Sequence, residues 1–267
     1  MMAPEQVEHV AARLLEAERT RRQIGLISLA HPLATMDDAY AIQAALVARK
    51  LAEGRRKIGW KIGLTSKAMQ AALKIDIPDS GVLLDDMAFA DGATVPAGRF
   101  IKPRVEAEIA FVLKAPLRGA HVASADVLAA TAYVVPALEI LDTRVLRVDP
   151  TSGKARGIVD TVADNAANAG IVLGTRRIAP GDVDLRWMGA IVARNGEVEE
   201  TGLGAGVLDD PAAGIAWLAR RLALYGQGLG AGDVVLSGSF IRPIEARPGD
   251  AFVADFGAWG LARIAFG

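Results

Sequence analysis

Residues 103–113 read PRVEAEIAFVL, and their two-residue periodicity decides the fold class. Side chains two apart in a strand share a face. Val105, Ala107, Ile109 and Phe111 therefore line one apolar side, while Glu106 and Glu108 project together from the other. The same alternation runs through residues 57–64, where Ile58, Trp60, Ile62 and Leu64 face one way. Further strand-like runs lie at 133–141, 190–194, 234–236, 251–256 and 261–266. Gly-Asp steps at Gly181, Gly232 and Gly249 stand ahead of apolar runs and read as turns.

Upstream the period changes. Over residues 5–21, Val7, Val10, Ala11, Leu14 and Leu15 recur at helical spacing. A second helix is predicted from Thr35, whose capping-box partner is Asp38. It carries Tyr40, Ile42, Leu46 and Leu51 inward and stops near Gly54. A late helix starts at Pro211 behind the cap Asp210 and ends near Gly226. The expectation is one α+β domain over 1–267, with a small helical N-terminal part (1–56) on a mostly β core (57–267). No internal repeat, low-complexity stretch or linker interrupts it.

Composition narrows the function. The 267 residues are 52% hydrophobic and 23% charged, enough for a sizeable core. Lys+Arg number 30 against 31 Asp+Glu, a net charge of -1, which gives no electrostatic case for nucleic acid or an anionic membrane surface. Cysteine is absent, so disulfides, thiolate nucleophiles and thiolate metal sites are excluded. The start, MMAPEQVEHV, lacks the basic and apolar regions of a signal peptide. No apolar run approaches the roughly 18 residues of a membrane span. A soluble, cytoplasmic protein is expected.

The chemistry lies in the carboxylates. Glu106 and Glu108 repel each other unless a cation or proton stands between them. Glu139 sits in the apolar run 134–141, where an ionised carboxylate needs a partner. Three carboxylates from two strands would suit magnesium, or manganese, with positions left for substrate. The spacing fits equally well a solvated strand face with Glu139 paired to an arginine. Lys61 projects between Gly59 and Gly63, which leave room for a ligand; an ordinary surface lysine fits the same pattern. His9, His31 and His121 are scattered and offer no zinc motif. Ser237-Gly238-Ser239 lacks the context of a nucleophile elbow, and residues 202–206 break dinucleotide-loop spacing. The small polar run 164–170 either lines a pocket, with Asn165 a candidate substrate contact, or makes a turn.

Taken together, GWKIGLTSKAMQ (59–70), PRVEAEIAFVL (103–113), DNAANAGIVLG (164–174) and GSFIRPIEARPGD (238–250) resemble the 2-keto-4-pentenoate hydratase family of the fumarylacetoacetase superfamily. The likeness spans nearly the whole chain. It implies a β core of the fumarylacetoacetase C-terminal-domain type, a homo-oligomer, and a divalent ion, Mg2+ with Mn2+ as the alternative, on Glu106, Glu108 and Glu139. It also implies an active-site lysine at Lys61 and an acidic proton carrier in the following loop, for which Asp79 is the choice.

LTSKAMQ and GSFIRP point to the branch of the family that hydrates a heptenedioate in aromatic meta-cleavage catabolism. There the 1-carboxylate and 2-oxo group would chelate the ion, water would add at C4, and C3 would be reprotonated with Lys61 and Asp79 as proton carriers. Arg242, beside Ser239, is the candidate for the distal carboxylate. Decarboxylation of a 2-oxo dicarboxylate, C–C hydrolysis, and a non-catalytic role in complex with a sister decarboxylase are the rival expectations.

Overall fold

Two apolar patterns of different period partition the chain, and the computed structural model, described for residues 1–67, 70–71 and 77–267, keeps them apart. Helix α1 (Pro4–Thr20) starts on a proline and ends where Arg21 turns left-handed; Val10, Ala11, Leu14 and Leu15 form its buried stripe. After the short α2 (Ile27–Ala30), α3 (Met36–Ala52) is capped reciprocally. Asp38 N–H donates to Thr35 Oγ1 and Thr35 N–H to Asp38 Oδ2. Ile42 and Leu46 are buried, whereas Leu51 lies at the surface. These helices form their own apolar cluster, completed by Val145 and by Val162 and Ala163 from a helix (Ile158–Ala163) of the β part.

The β part forms two sheets. The larger has eight strands: β1 (Lys57–Gly63), β2 (Asp79–Leu84), β3 (Ala88–Phe89), β5 (Arg104–Leu113), β6 (Thr131–Leu141), β7 (Asn168–Leu173), β10 (Val234–Leu236) and β11 (Ile244–Glu245). Their order is β2-β1-β10-β5-β6-β7-β3, with β11 paired to the start of β5. The smaller sheet orders β4 (Ala93–Val95), β13 (Leu261–Phe266), β12 (Ala251–Asp255), β8 (Gly189–Arg194) and β9 (Glu197–Leu203) as β4-β13-β12-β8-β9. Val105, Ala107, Ile109, Phe111, Leu138 and Ile140 of the large sheet share a core with Val192, Phe252, Ala254 and Ile264 of the small one. A helix over Pro211–Ala223, capped by Asp210, adds Ile215, Leu218 and Leu222.

The other face of the large sheet carries the acids. Its two distant strands, β2 and β7, approach each other, so the sheet curls round that face. A latch holds the closure: Val82 N–H donates to Asn165 Oδ1 (2.8 Å), and Asn165 Nδ2 donates to Val82 O (2.9 Å). Six strands fall outside the runs expected from the sequence, among them the two-residue β3 and β11. β2 is buried along its whole length, β4 is short, β7 opens on Asn-Ala-Gly, and β9 is polar and largely exposed. Asp79, expected in a loop, is the first residue of β2. The run 64–70 includes residues 68 and 69, which lie outside the described residues. Among the described residues no helix is long and apolar enough to cross a membrane.

Candidate active site

Register brings the carboxylates together. On antiparallel β5 and β6, Glu106 stands directly opposite Glu139, and Glu108 follows on the same face. One oxygen from each of Glu106, Glu108 and Glu139 lies within 4.8 Å of the others. Glu108 and Glu139 are fully buried; Glu106 is half-buried and faces a cleft of about 730 Å³. Glu108 Oε2 accepts from Gly238 N–H at 2.8 Å, and Glu139 Oε1 from Asn168 Nδ2 at 2.7 Å. Their second oxygens, Glu108 Oε1 and Glu139 Oε2, are buried without a donor among the described residues. Buried anionic oxygens left without a protein donor, in an all-carboxylate set, fit a hard divalent cation.

Lys61 joins them from β1. Its ammonium, almost wholly buried, stands 3.4 Å from Glu139 Oε1 and donates to the carbonyl of Ala166 at 3.2 Å. Asp79 faces Gly63 across β1 and β2. Gly63 is required here by space: a Cβ would lie 2.3 Å from Asp79 Oδ1 and 3.0 Å from Lys61 Nζ. Gly238 is required by conformation and space alike, since its φ of 113° is coupled to a Cβ position 2.2 Å from Thr65 Oγ1.

The charges interact strongly. Burial opposes the Lys61 charge, but Glu139, Asp79, Glu106 and Glu108 together hold its pKa above the usual lysine value. Burial, and then the charge of Glu139, pushes Glu106 up to about 8. Burial, with Glu139 and Glu106, raises Glu108 well above an ordinary glutamate. Asp79 is raised by burial, and Lys61 offsets part of the rise. The centre therefore holds an ammonium that keeps its proton beside carboxyl groups that gain one readily.

The remaining predicted residues take different places. Ser239 lines the cleft; its hydroxyl is 2.9 Å from Ile241 O and accepts from Ile241 N–H at 3.2 Å. Arg242 also lines it, but at the rim, with a side chain 83% exposed and paired to Glu200. Asn165 is not among the cleft-lining residues; its amide is occupied by the Val82 latch. Sequence reasoning missed Asn168, the Ala166 carbonyl and Arg156, all of which tertiary packing brings to the site. A second, more open hollow of about 920 Å³ lies against the small sheet, around Ile191, Leu203, Phe240 and Phe256, away from the carboxylate centre.

Comparison with known proteins follows the same line. No family model matches the chain. It is 54% identical over 257 residues to 2-oxo-hept-4-ene-1,7-dioate hydratase of Escherichia coli, covering 96% of both chains. It is 40% identical over 265 residues to 2-keto-4-pentenoate hydratase of Paraburkholderia xenovorans (strain LB400), covering 99% of this chain and 96% of that one. Among solved structures it resembles 4-oxalocrotonate decarboxylase from Pseudomonas putida G7, complexed with magnesium and adipate. That match has a TM-score of 0.94 at 34% identity and covers 100% of this chain and 99% of that one. Fumarylpyruvate hydrolase from Pseudomonas aeruginosa shares the fold at a TM-score of 0.59 and 12% identity, over 79% of this chain and 89% of that one. With identity at this level running from end to end, the chain belongs to the 2-keto-4-pentenoate hydratase family.

Proposed function

We propose that this chain is a hydro-lyase that adds water to an unsaturated 2-oxo acid, 2-oxohept-4-ene-1,7-dioate in the first instance, to give a 4-hydroxy-2-oxo acid. The observation that carries the reading is the convergence of Glu106, Glu108, Glu139 and Lys61 on one cleft. Glu106, Glu108 and Glu139 would hold a divalent ion, Mg2+ first and Mn2+ second. When bound, that ion supplies a Lewis acid for the oxygens of a 2-oxo carboxylate. A magnesium-bound relative of nearly the same shape supports that choice.

The chain's own groups manage the protons. Moving the double bond from C4=C5 to C3=C4 takes a proton from C3 and returns one to C5. Water then adds its oxygen to C4 and C3 regains a proton, for a net gain of one water. Asp79, with its raised pKa, suits both the taking and the giving. Lys61 stays an ammonium and stabilises negative charge developing on the 2-oxo oxygen. Proton handling thus divides between a carboxyl group that exchanges protons and an ammonium that keeps its own. Ser239 would contact substrate at the cleft wall. The enzyme would work in the cytoplasm as a homo-oligomer, within catabolism of aromatic meta-cleavage products.

The test is direct. Purified protein with Mg2+ is supplied with 2-oxohept-4-ene-1,7-dioate and 2-oxopent-4-enoate, and products are followed by NMR. A 4-hydroxy-2-oxo acid that fails to form in EDTA is expected. The similarity to a decarboxylase gives the second reading, alone or in complex with such an enzyme. Release of carbon dioxide from a 2-oxo dicarboxylate without hydration would replace the first reading with that one.

A further inference from the structure

Beside the carboxylate centre the wall of the cleft carries an arginine that the centre does not use. Arg156 lines the cleft together with Lys61, Glu106 and Leu141. One guanidinium nitrogen is fixed, Nη1 donating to Thr143 Oγ1 at 2.6 Å. Among the described residues Arg156 has no carboxylate ion-paired to it, and neither has Arg147, whose carbonyl accepts the Arg156 N–H at 2.8 Å. Arg104 is the third member. It lies two residues before Glu106 on β5, so one pleat, about 7 Å, further along the same strand face. Among the described residues its only ion pair is with the exposed Glu245, at 3.4 Å, and its Nε is buried without an acceptor.

These cations disturb one another. Burial, then Arg104 and Arg156, pushes Arg147 down to about 10. Burial and the charges of Arg144 and Arg104 lower Arg156, against the opposing pull of Asp164 and Asp160. Half-buried guanidinium groups that repel each other, two of them with no carboxylate ion-paired to them among the described residues, favour an anion supplied from outside.

We infer that Arg156, reinforced by Arg104 and Arg147, binds the second carboxylate of a dicarboxylic 2-oxo acid and gives the cleft its preference for dicarboxylates over monocarboxylates. The inference rests on the proposed function, because it takes the three-glutamate centre to hold the 2-oxo carboxylate end. Arg156 fits the role better than Arg242. Arg242 is mostly solvated and already paired with Glu200, a setting in which a further ion pair contributes little. Arg156 is less solvated and, among the described residues, its guanidinium is anchored by a single hydrogen bond, which leaves the rest of its fork for a carboxylate.

Two saturated acids that cannot be hydrated, 2-oxoheptanedioate and 2-oxopentanoate, test this by calorimetric titration of the Mg2+-loaded protein. The wild type is expected to prefer the dioate. R156M is expected to lower that preference about tenfold or more, the scale of one charged hydrogen bond. R147E, which places a carboxylate beside Arg156, is expected to shift the ratio in the same direction and serves if R156M does not fold. An unchanged ratio in a folded R156M or R147E, or a larger shift in R242M than in R156M, overturns the inference. Equal wild-type affinity for the two acids overturns it while leaving the hydratase reading standing. A wild type that binds neither acid removes the hydratase reading as well.

Discussion

A methyl group on Gly63 would stand inside contact distance of both Asp79 Oδ1 and Lys61 Nζ, so a single carbon tests the geometry of these two groups. Gly63→Ala is expected to leave the sheet intact, since this strand position has no left-handed φ to protect. It displaces two reacting side chains, and a misplacement near 1 Å costs roughly 100-fold in rate. Unchanged kcat in a folded Gly63→Ala would mean that Asp79 and Lys61 do not act on the substrate. Glu139→Gln tests the other half of the centre. The amide keeps the shape but removes a charge that faces Lys61 and the two other carboxylates. Mg2+ affinity by calorimetry is expected to fall at least tenfold, and wild-type affinity would show that the ion binds elsewhere. Strand periodicity puts Glu106 and Glu108 on one face and Lys61 opposite the apolar face of its strand, but it leaves a solvated surface equally open; the family resemblance is what joins them with Glu139 into a site. Asp79 needed the family resemblance. Asn168 and Arg156 could not be found that way, because each reaches the site only when distant segments pack.

At the scale of elements, the turn at Asn165–Ala167 is the most constrained part of the site. Asn165, Ala166 and Ala167 all have φ between 52° and 57°, a conformation that costs an L-residue about 1–2 kcal/mol each. The run places the Ala166 carbonyl on Lys61 and the Asn165 amide on β2. Arg144 brackets it: Nε donates to Asp164 Oδ1 and Nη2 to Asp164 O, while Nη1 donates to Asn168 O. Both members of the pair are buried. Asp164→Ala would therefore leave an uncompensated buried guanidinium, with an expected loss of about 3–5 kcal/mol in chemical denaturation. The double variant Arg144→Met with Asp164→Leu should cost less than Asp164→Ala alone, yet still lower kcat, because the arginine's bonds to Asp164 O and Asn168 O no longer brace the turn against its strain. A near-neutral Asp164→Ala would show that the latch to Val82 suffices. The sequence run 164–170 shows small polar residues but no reason for a left-handed path, as none of residues 165–167 is glycine. β5 was readable by its alternation and β6 by its long apolar run, whereas β2, buried on both faces, is short and opens on Asp-Ser-Gly.

For the molecule as a whole, curling the large sheet round its acidic face ties ion binding to folding. Glu106 titrates near 4.5 in an exposed chain and is raised to about 8 in the fold by burial and by Glu139; Glu108 and Asp79 are raised as well. Between about 4.5 and 8 the folded, ion-free protein thus binds more protons than the unfolded chain. Its stability is therefore greatest at the acid end of this window and falls as pH rises through it. Lys61, raised above its ordinary value, is protonated in both states over the same range and adds no slope. A divalent ion requires the ionised carboxylates, so it binds more tightly as pH rises and releases protons when it does. Ligand that binds only the folded state raises stability by mass action. The melting temperature in EDTA is accordingly expected to drop from pH 5.5 to 8.5, while the gap between excess Mg2+ and EDTA widens. Glu106→Gln, which cannot titrate, should flatten the EDTA profile and shrink the gap. A gap that stays constant or narrows with pH would mean that the ion does not compete with protons for these carboxylates, and the three-glutamate assignment would fall with it.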